Sequence, residues 1–331
     1  MSEIIFERLD VALEATRGTL VTPPTHHLFM GGELTPEDDW YEDETNVGTA
    51  AGLNRSEKIH TRTTLSAEGA LDVWTLPVLL NMALAPVTTP TTPGGGTLSR
   101  LWTFTRNVTS DTVKSATFYW GDPNSKYYQA AYGMITQLGI AADASGTDNA
   151  TQSFDAVAQT LTPLGAVPTL PTNAVSPLVL GARMQLWIDT SSAIGTTEIT
   201  GRVVSVDATI PTIIGNPKYV AVGPSAGITY ARFGKQKAVP EMTVQVDKVD
   251  EVQLNNYLTT QDVKVRVRLN GPLIETTLYN YVQIDMYGKF RFDSWEDLEG
   301  NRTVSLIVRG EYNPTPASDV VVYVQNNKTS L

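Results

Sequence analysis

The sequence predicts a mainly β protein with a flanking α-helix and long loops. Three observations carry this. Thr is abundant, and a β-branched side chain favours pleated, half-buried surface. Segments with a strict two-residue hydrophobic period recur, separated by Gly, Pro, Asn and Asp. With 41% hydrophobic and 18% charged residues over 331 positions, the chain is globular and long enough for one large β domain or two smaller ones.

Taken in order, Phe6–Thr16 reads as either a helix or an extended arm. The acidic run Glu33–Glu44 reads first as a solvated loop. From Arg62 to Val73 the alternation is clean: Arg62, Thr64, Ser66, Glu68 and Asp72 share one face, and Thr63, Leu65, Ala67, Leu71 and Val73 the other. Thr75–Ala85 predicts a helix, with Pro77 near its start and Pro86 ending it. Pro86–Gly96 is a Pro/Thr/Gly connector, expected to be exposed and mobile. Tyr127–Ala142 reads as one long strand or a bent pair. Between Asp155 and Arg183 there is no charged residue, which predicts a surface covered by another chain. Strands are predicted at Glu241–Asp247, Val263–Leu269, Thr303–Arg309 and Val320–Val324. Asp247–Thr259 has the spacing of an amphipathic helix.

Much chemistry is excluded. There is no Cys, hence no disulfide and no thiolate site. The net charge of −11 argues against a protein that coats nucleic acid. Walker, dinucleotide-binding and nucleophile-elbow motifs are missing. His26 and His27 follow Pro23–Pro24 and read as an exposed turn; His60 reads as a surface residue ahead of a strand. The acidic run has two further readings, calcium binding and contact with a partner, the latter favoured by Trp40 and Tyr41 inside it. Gly94–Gly96 leads into a strand-like segment, so it reads as a loop and not a phosphate cradle. No apolar run reaches membrane-spanning length, no signal peptide is recognised at the start, and synthesis in a reducing host cytoplasm is expected. Catalytic residues, metals and cofactors are not expected.

A series of segments follows in order along the chain: Glu14-Ala15-Thr16-Arg17-Gly18-Thr19 and Thr22-Pro23-Pro24, then the Arg62–Val73 strand, the helix ending near Leu84, Tyr119-Trp120-Gly121-Asp122, the Gly133–Ala142 strand, Ile284-Asp285-Met286-Tyr287 and Gly310-Glu311-Tyr312. In these segments the chain resembles the major tail tube proteins of long-tailed, siphovirus-like bacteriophages. The resemblance covers most of the chain as a single domain, 1–331, with 160–235 read as an insertion or an elaborated outer layer. The resemblance implies a β-sandwich or barrel-like core with a flanking helix. It also implies hexameric rings stacked into a tube, through which double-stranded DNA passes without specific binding. Implied partners are further copies, a tape-measure protein, and tail terminator and baseplate or tip proteins, all in the virion tail and none inserted in a membrane.

An acidic channel would repel phosphates. Glu68, Asp72, Glu241, Asp247 and Glu275 are therefore the lumen-facing candidates. Lys264, Arg266 and Arg268 share one strand face and read either as solvated or as contacts to a neighbouring subunit, with the acidic run, especially Glu37, Asp38, Asp39 and Trp40, as their counterpart. Two other classes remain at this point: a β-rich adhesin or carbohydrate-binding module using Trp40, Trp74, Trp102, Trp120, Trp187 or Trp295, and a carboxylate-based hydrolase.

Overall fold

The computed structural model describes residues 7–45, 52–106, 112–144, 146, 148–191, 193–220, 229–247, 251–298 and 300–331. Its strands are β1 (Arg8–Leu13), β2 (His26–Leu28), β3 (Gly31–Asp43), β4 (Arg55–Ala70), β5 (Arg100–Thr105), β6 (Ala116–Gly121), β7 (Tyr127–Asp143), β8 (Thr151–Ala158), β9 (Thr162–Pro163), β10 (Met184–Asp189), β11 (Val203–Pro211), β12 (Ile214–Lys218), β13 (Arg232–Lys235), β14 (Glu241–Asp247), β15 (Asp262–Glu275), β16 (Leu278–Leu298), β17 (Asn301–Gly310) and β18 (Val320–Asn326). Helix α1 spans Leu76–Ala83 and α2 spans Glu251–Leu258. The chain is mainly β, as its alternation predicts.

One antiparallel run passes through β3-β4-β8-β7-β11-β14-β17-β16. A second runs β10-β15-β16-β18-β5. Both use β16, which changes partners at Gly288. Residues 281–286 pair with β18 and residues 288–298 with β17. A Cβ at Gly288 would lie 2.1 Å from the Arg309 carbonyl oxygen, so the close crossing requires glycine. The inward positions of both runs and of α1 form one apolar cluster. Val263, Val265 and Val267 of β15, Met242, Val244 and Val246 of β14, and Val304, Leu306 and Val308 of β17 are each at most 1% exposed. Each such side chain gains about 1.5–3 kcal/mol from leaving water, which fixes the register: a one-residue slip would turn every one of them outward.

The first ambiguous segment is a strand, β1, with Phe6 outside the described residues. Tyr127–Asp143 is a strand with a bend. Tyr132 takes φ +54°; residues 127–130 and Gly133 pair with β6, and residues from Met134 onward pair with β8 and then β11. Helix α1 forms as predicted and all eight of its residues are buried, as expected of a helix apolar on every side. The helix predicted over Asp247–Thr259 is α2, at Glu251–Leu258; Asp247 ends β14, and residues 248–250 lie outside the described residues. Within 160–235, β10 and β11 belong to the two main runs. Hairpin β12–β13 forms a separate two-stranded sheet over a small cluster of Val113, Tyr132, Met134, Ile214 and Tyr230.

Candidate functional site: a polar wall and a charged arm

The cross-strand registers align side chains in rows on the face of the eight-strand run opposite the core. One row reads Gly31, Glu68, Ser153, Gly139, Thr209, Glu241, Arg309, Lys289, one residue from each strand from β3 to β16. A second row reads Ala70, Thr151, Ala141, Asp207, Thr243, Ile307, Arg291. A third contains Glu33, Ser66, Asp155 and Gln137. Short side chains dominate between β8 and β14, so this wall is smooth. Glu68, Asp155 and Asp207 are exposed on it.

Three of the five lumen candidates meet here. Glu68 and Glu241 lie in one row, four strand spacings or about 19 Å apart. Asp247 follows Glu241 at even steps along β14, hence on the same face. Glu241 is ion-paired with Arg309 at 2.6 Å.

Asp72 and Glu275 do not belong to this wall. Asp72 is 3% exposed because the chain leaves β4 at Ala70 and turns into α1. Its Oδ1 accepts the Trp74 N–H at 2.7 Å and the Thr75 N–H at 3.3 Å, holding the turn that leads from β4 into the helix. Glu275 binds a neighbouring loop. It accepts the N–H groups of Thr97, Leu98 and Ser99 at 2.7–3.0 Å and the Thr97 hydroxyl at 2.8 Å. Desolvation acts to raise its pKa, but the donors of Ser99 and Thr97 prevail and hold it at about 2. The connector 86–96 is thus tied at its far end.

The acidic run is not a loop. It forms β3, the outer strand of a long hairpin with β4. Across the pair, Arg62 meets Glu37 at 2.7 Å, Lys58 meets Asp38 at 2.6 Å, His60 faces Asp39 at 3.5 Å and Arg55 meets Asp43 at 2.8 Å. Opposite charges across strands stabilise a pair whose side chains have low strand propensity. A sequence window over β3 alone shows the acids and not the cations some 20 residues later. Hydrogen bonds from Lys58 and Thr61 lower the Asp38 pKa. Beyond Leu34 and Leu65, the last inward pair, the hairpin extends as an arm with Trp40 53% and Tyr41 50% exposed.

Within the single chain, Arg266 and Arg268 of the basic stripe have partners other than the acidic run. Arg266 makes a two-pronged ion pair with Asp285, at 2.7 and 2.6 Å. Arg268 donates twice to Gln283 Oε1 at 3.0 and 2.6 Å, and lies over the rings of Trp187 and Tyr281. Lys264 shares that face, opposite Tyr287 on β16. The stripe serves the β10-β15-β16 sheet, where Asp285 is 1% exposed and needs a cation.

Other groups have structural roles that the sequence pattern does not show. Buried Glu14 accepts four hydrogen bonds: from the Gly18 N–H (2.8 Å), the Ser115 hydroxyl (2.6 Å), the Thr117 hydroxyl (3.0 Å) and the Tyr132 N–H (2.8 Å). This gives the Glu-x-x-x-Gly segment a physical reason, since Gly18 has φ +76°. His27 is in strand β2, not in an exposed turn, and lies 2.9 Å from buried Asp10. Burial opposes ionisation of Asp10, yet hydrogen bonds from His27, Arg8 and Tyr127 keep its pKa lowered. His60 lies inside β4 and stacks on Tyr219, ring centroids 3.9 Å apart. Trp102 is fully buried, while Trp40 and Trp295 are exposed on β3 and β16, the two ends of the eight-strand run.

The middle of the uncharged stretch is largely exposed in the single chain, with Val175 at 80% and Leu178 at 58%, while Ala156, Ala158 and Val179 near its ends are buried. Arg8 holds it by donating to the Pro171 carbonyl at 3.1 Å. No protein-family model matches the chain, and no curated protein sequence matches it.

Proposed function

We propose that this chain is a structural, self-assembling subunit of a bacteriophage tail tube, with the polar wall lining a channel for double-stranded DNA. The observation that supports it best is the wall itself. Eight antiparallel strands bury one face in the core and present on the other a smooth surface with exposed Glu68, Asp155 and Asp207. Such a surface repels phosphates and offers few long side chains to catch a sliding duplex. Hexameric stacking comes from the sequence resemblance. So do the tape-measure, terminator and baseplate partners and the place in the virion tail. The reaction is assembly and passage, with no bond made or broken.

Electron microscopy of the purified protein tests this directly. Tubes or stacked six-fold rings are expected, and persistent monomers at high concentration would refute it. Because the chain has no Cys, a single Cys at Ser153 or Thr209 reports on the wall. In assemblies it should react with a small maleimide and be shielded from one carried on a bulky polymer. Equal labelling by both reagents would place the wall outside the channel.

A further inference from the structure

We infer that hairpin β12–β13 is a cationic docking element for the acidic β3–β4 arm of a second copy of this chain. The inference rests on the self-assembling reading above. Between Asp207 and Glu241 the sequence has Lys218, Arg232, Lys235 and Lys237 and no acidic residue, in a chain of net charge −11. All four side chains are exposed, and none has an ion-pair partner among the described residues. Six cations elsewhere, Arg55, Lys58, Arg62, Arg266, Lys289 and Arg309, pair with acids; Lys126, Arg183, Arg291 and Arg302 are exposed without such a pair among the described residues, but they are scattered over separate elements, whereas the hairpin gathers four. The hairpin stands outside the two main sheet runs, and its cations are flanked by exposed Val220 (40%) and Val239 (41%).

The arm has the opposite imbalance. Strand β3 carries six acids and no base, and β4 supplies cations for some of them. Glu33, Glu42 and Glu57 are exposed and have no ion-pair partner among the described residues. Exposed Trp40 and Tyr41 lie beside Glu42 and Glu57. Within one chain the hairpin meets the arm where His60 stacks on Tyr219. Glu57 lies three residues further out, about 10 Å along the strand. Each element thus has unmatched charge of one sign with apolar groups at its margin, the composition of an interface with electrostatic complementarity. The acidity of the rest of the chain disfavours a nucleic acid as the occupant.

A charge-swap experiment in trans tests this. One variant carries Lys218→Glu and Lys235→Glu, the other Glu42→Lys and Glu57→Lys. Each alone should raise the critical concentration for assembly by about tenfold, because like charges then face each other. An equimolar mixture should assemble close to the wild type, since a hairpin of one sign can meet an arm of the other. Unchanged thermal melts will show that both variants fold, and the milder Lys218→Gln with Lys235→Gln should shift assembly in the same direction. Normal assembly of either reversed variant would overturn the inference. So would a mixture that stays defective while all four changes in one chain restore assembly, which would mean pairing within the chain. Loss of binding to a duplex DNA oligonucleotide with assembly intact would assign the hairpin to a polyanion instead. A wild type that never assembles would overturn the functional reading, and this inference with it.

Discussion

Glu14 offers the sharpest test of how the wall is held in shape. Its carboxylate is 2% exposed and accepts four hydrogen bonds, two of them from the backbone N–H groups of Gly18 and Tyr132. Tyr132 is where β7 leaves β6 and enters the wall, in a left-handed conformation that a tyrosine adopts only when its surroundings enforce it. Glu14→Ala removes both acceptors. The two hydroxyls can turn to other partners, but the N–H groups cannot. The Tyr132 N–H is buried and the Gly18 N–H only partly so; at about 1–3 kcal/mol for a buried donor left unpaired and less for a part-exposed one, the loss comes to about 3 kcal/mol. An unfolding entropy of about 2.1 cal/mol/K per residue gives about 0.7 kcal/mol/K for this chain, so Tm should fall by about 4 °C. Glu14→Gln should cost less, because one amide oxygen still accepts from Tyr132 while the amide nitrogen faces the Gly18 N–H. Circular dichroism melts of the unassembled protein measure both variants. A Glu14→Ala melt within about 1 °C of the wild type would refute the claim that this carboxylate fixes the bend.

Three further outcomes are expected. Glu275 has a folded-state pKa of about 2, below its unfolded value. Its tether on residues 97–99 is therefore fully present above about pH 4.5 and is lost as pH falls towards 2. Hydrogen exchange at Thr97–Ser99 should be slower in the wild type than in Glu275→Gln above pH 5, and the difference should vanish near pH 2. Arg266→Met strands the buried Asp285 carboxylate and should destabilise the chain by about 3 kcal/mol in urea titrations, whereas Arg266→Met with Asp285→Leu should recover most of it. Glu68→Lys with Asp207→Lys should leave assembly intact but make the tubes retain duplex DNA at low salt, measured by co-sedimentation; tubes that still exclude DNA would count against an electrostatic wall.

The core was legible in the sequence because burial imposes a period that survives in one strand at a time. Val263 to Leu269, Met242 to Val246 and Val304 to Val308 show their inward faces without reference to any partner, and α1 announces itself by an apolar stretch bounded by prolines. Misreadings arose where a residue's role depends on a distant partner. Asp72 fits the outward face of its strand by parity alone. The strand stops at Ala70, and parity carries no information past that point. Arg266 and Arg268 look unsatisfied until β16 brings Asp285 and Gln283 across from them. The acids of β3 read as a solvated loop because their cations sit on β4, across the hairpin turn. Glu68 and Glu241 could be proposed for one surface, yet only the strand order puts them in one row, since 172 residues separate them.

Placement, more than total charge, decides what the acidity can do. On the arm, Glu37, Asp38 and Asp43 face cations of β4, which stiffens a two-stranded ribbon, while Glu33, Glu42 and Glu57 have none opposite them among the described residues. Asp285 is neutralised by Arg266. On the wall the situation differs: Glu68 has Gly31 and Ser153 beside it, Asp155 has Ser66 and Gln137, and Asp207 has Ala141 and Thr243. No cation is in any of those cross-strand positions until Arg309 meets Glu241. Glu68 and Asp155 sit diagonally on adjacent strands, roughly 7 Å apart. That is within one Debye length, about 8 Å at physiological salt. A phosphate approaching this patch would feel both carboxylates at once. Reversing charge on the wall and reversing charge on the arm should therefore produce different defects, DNA retention in the first case and failed assembly in the second.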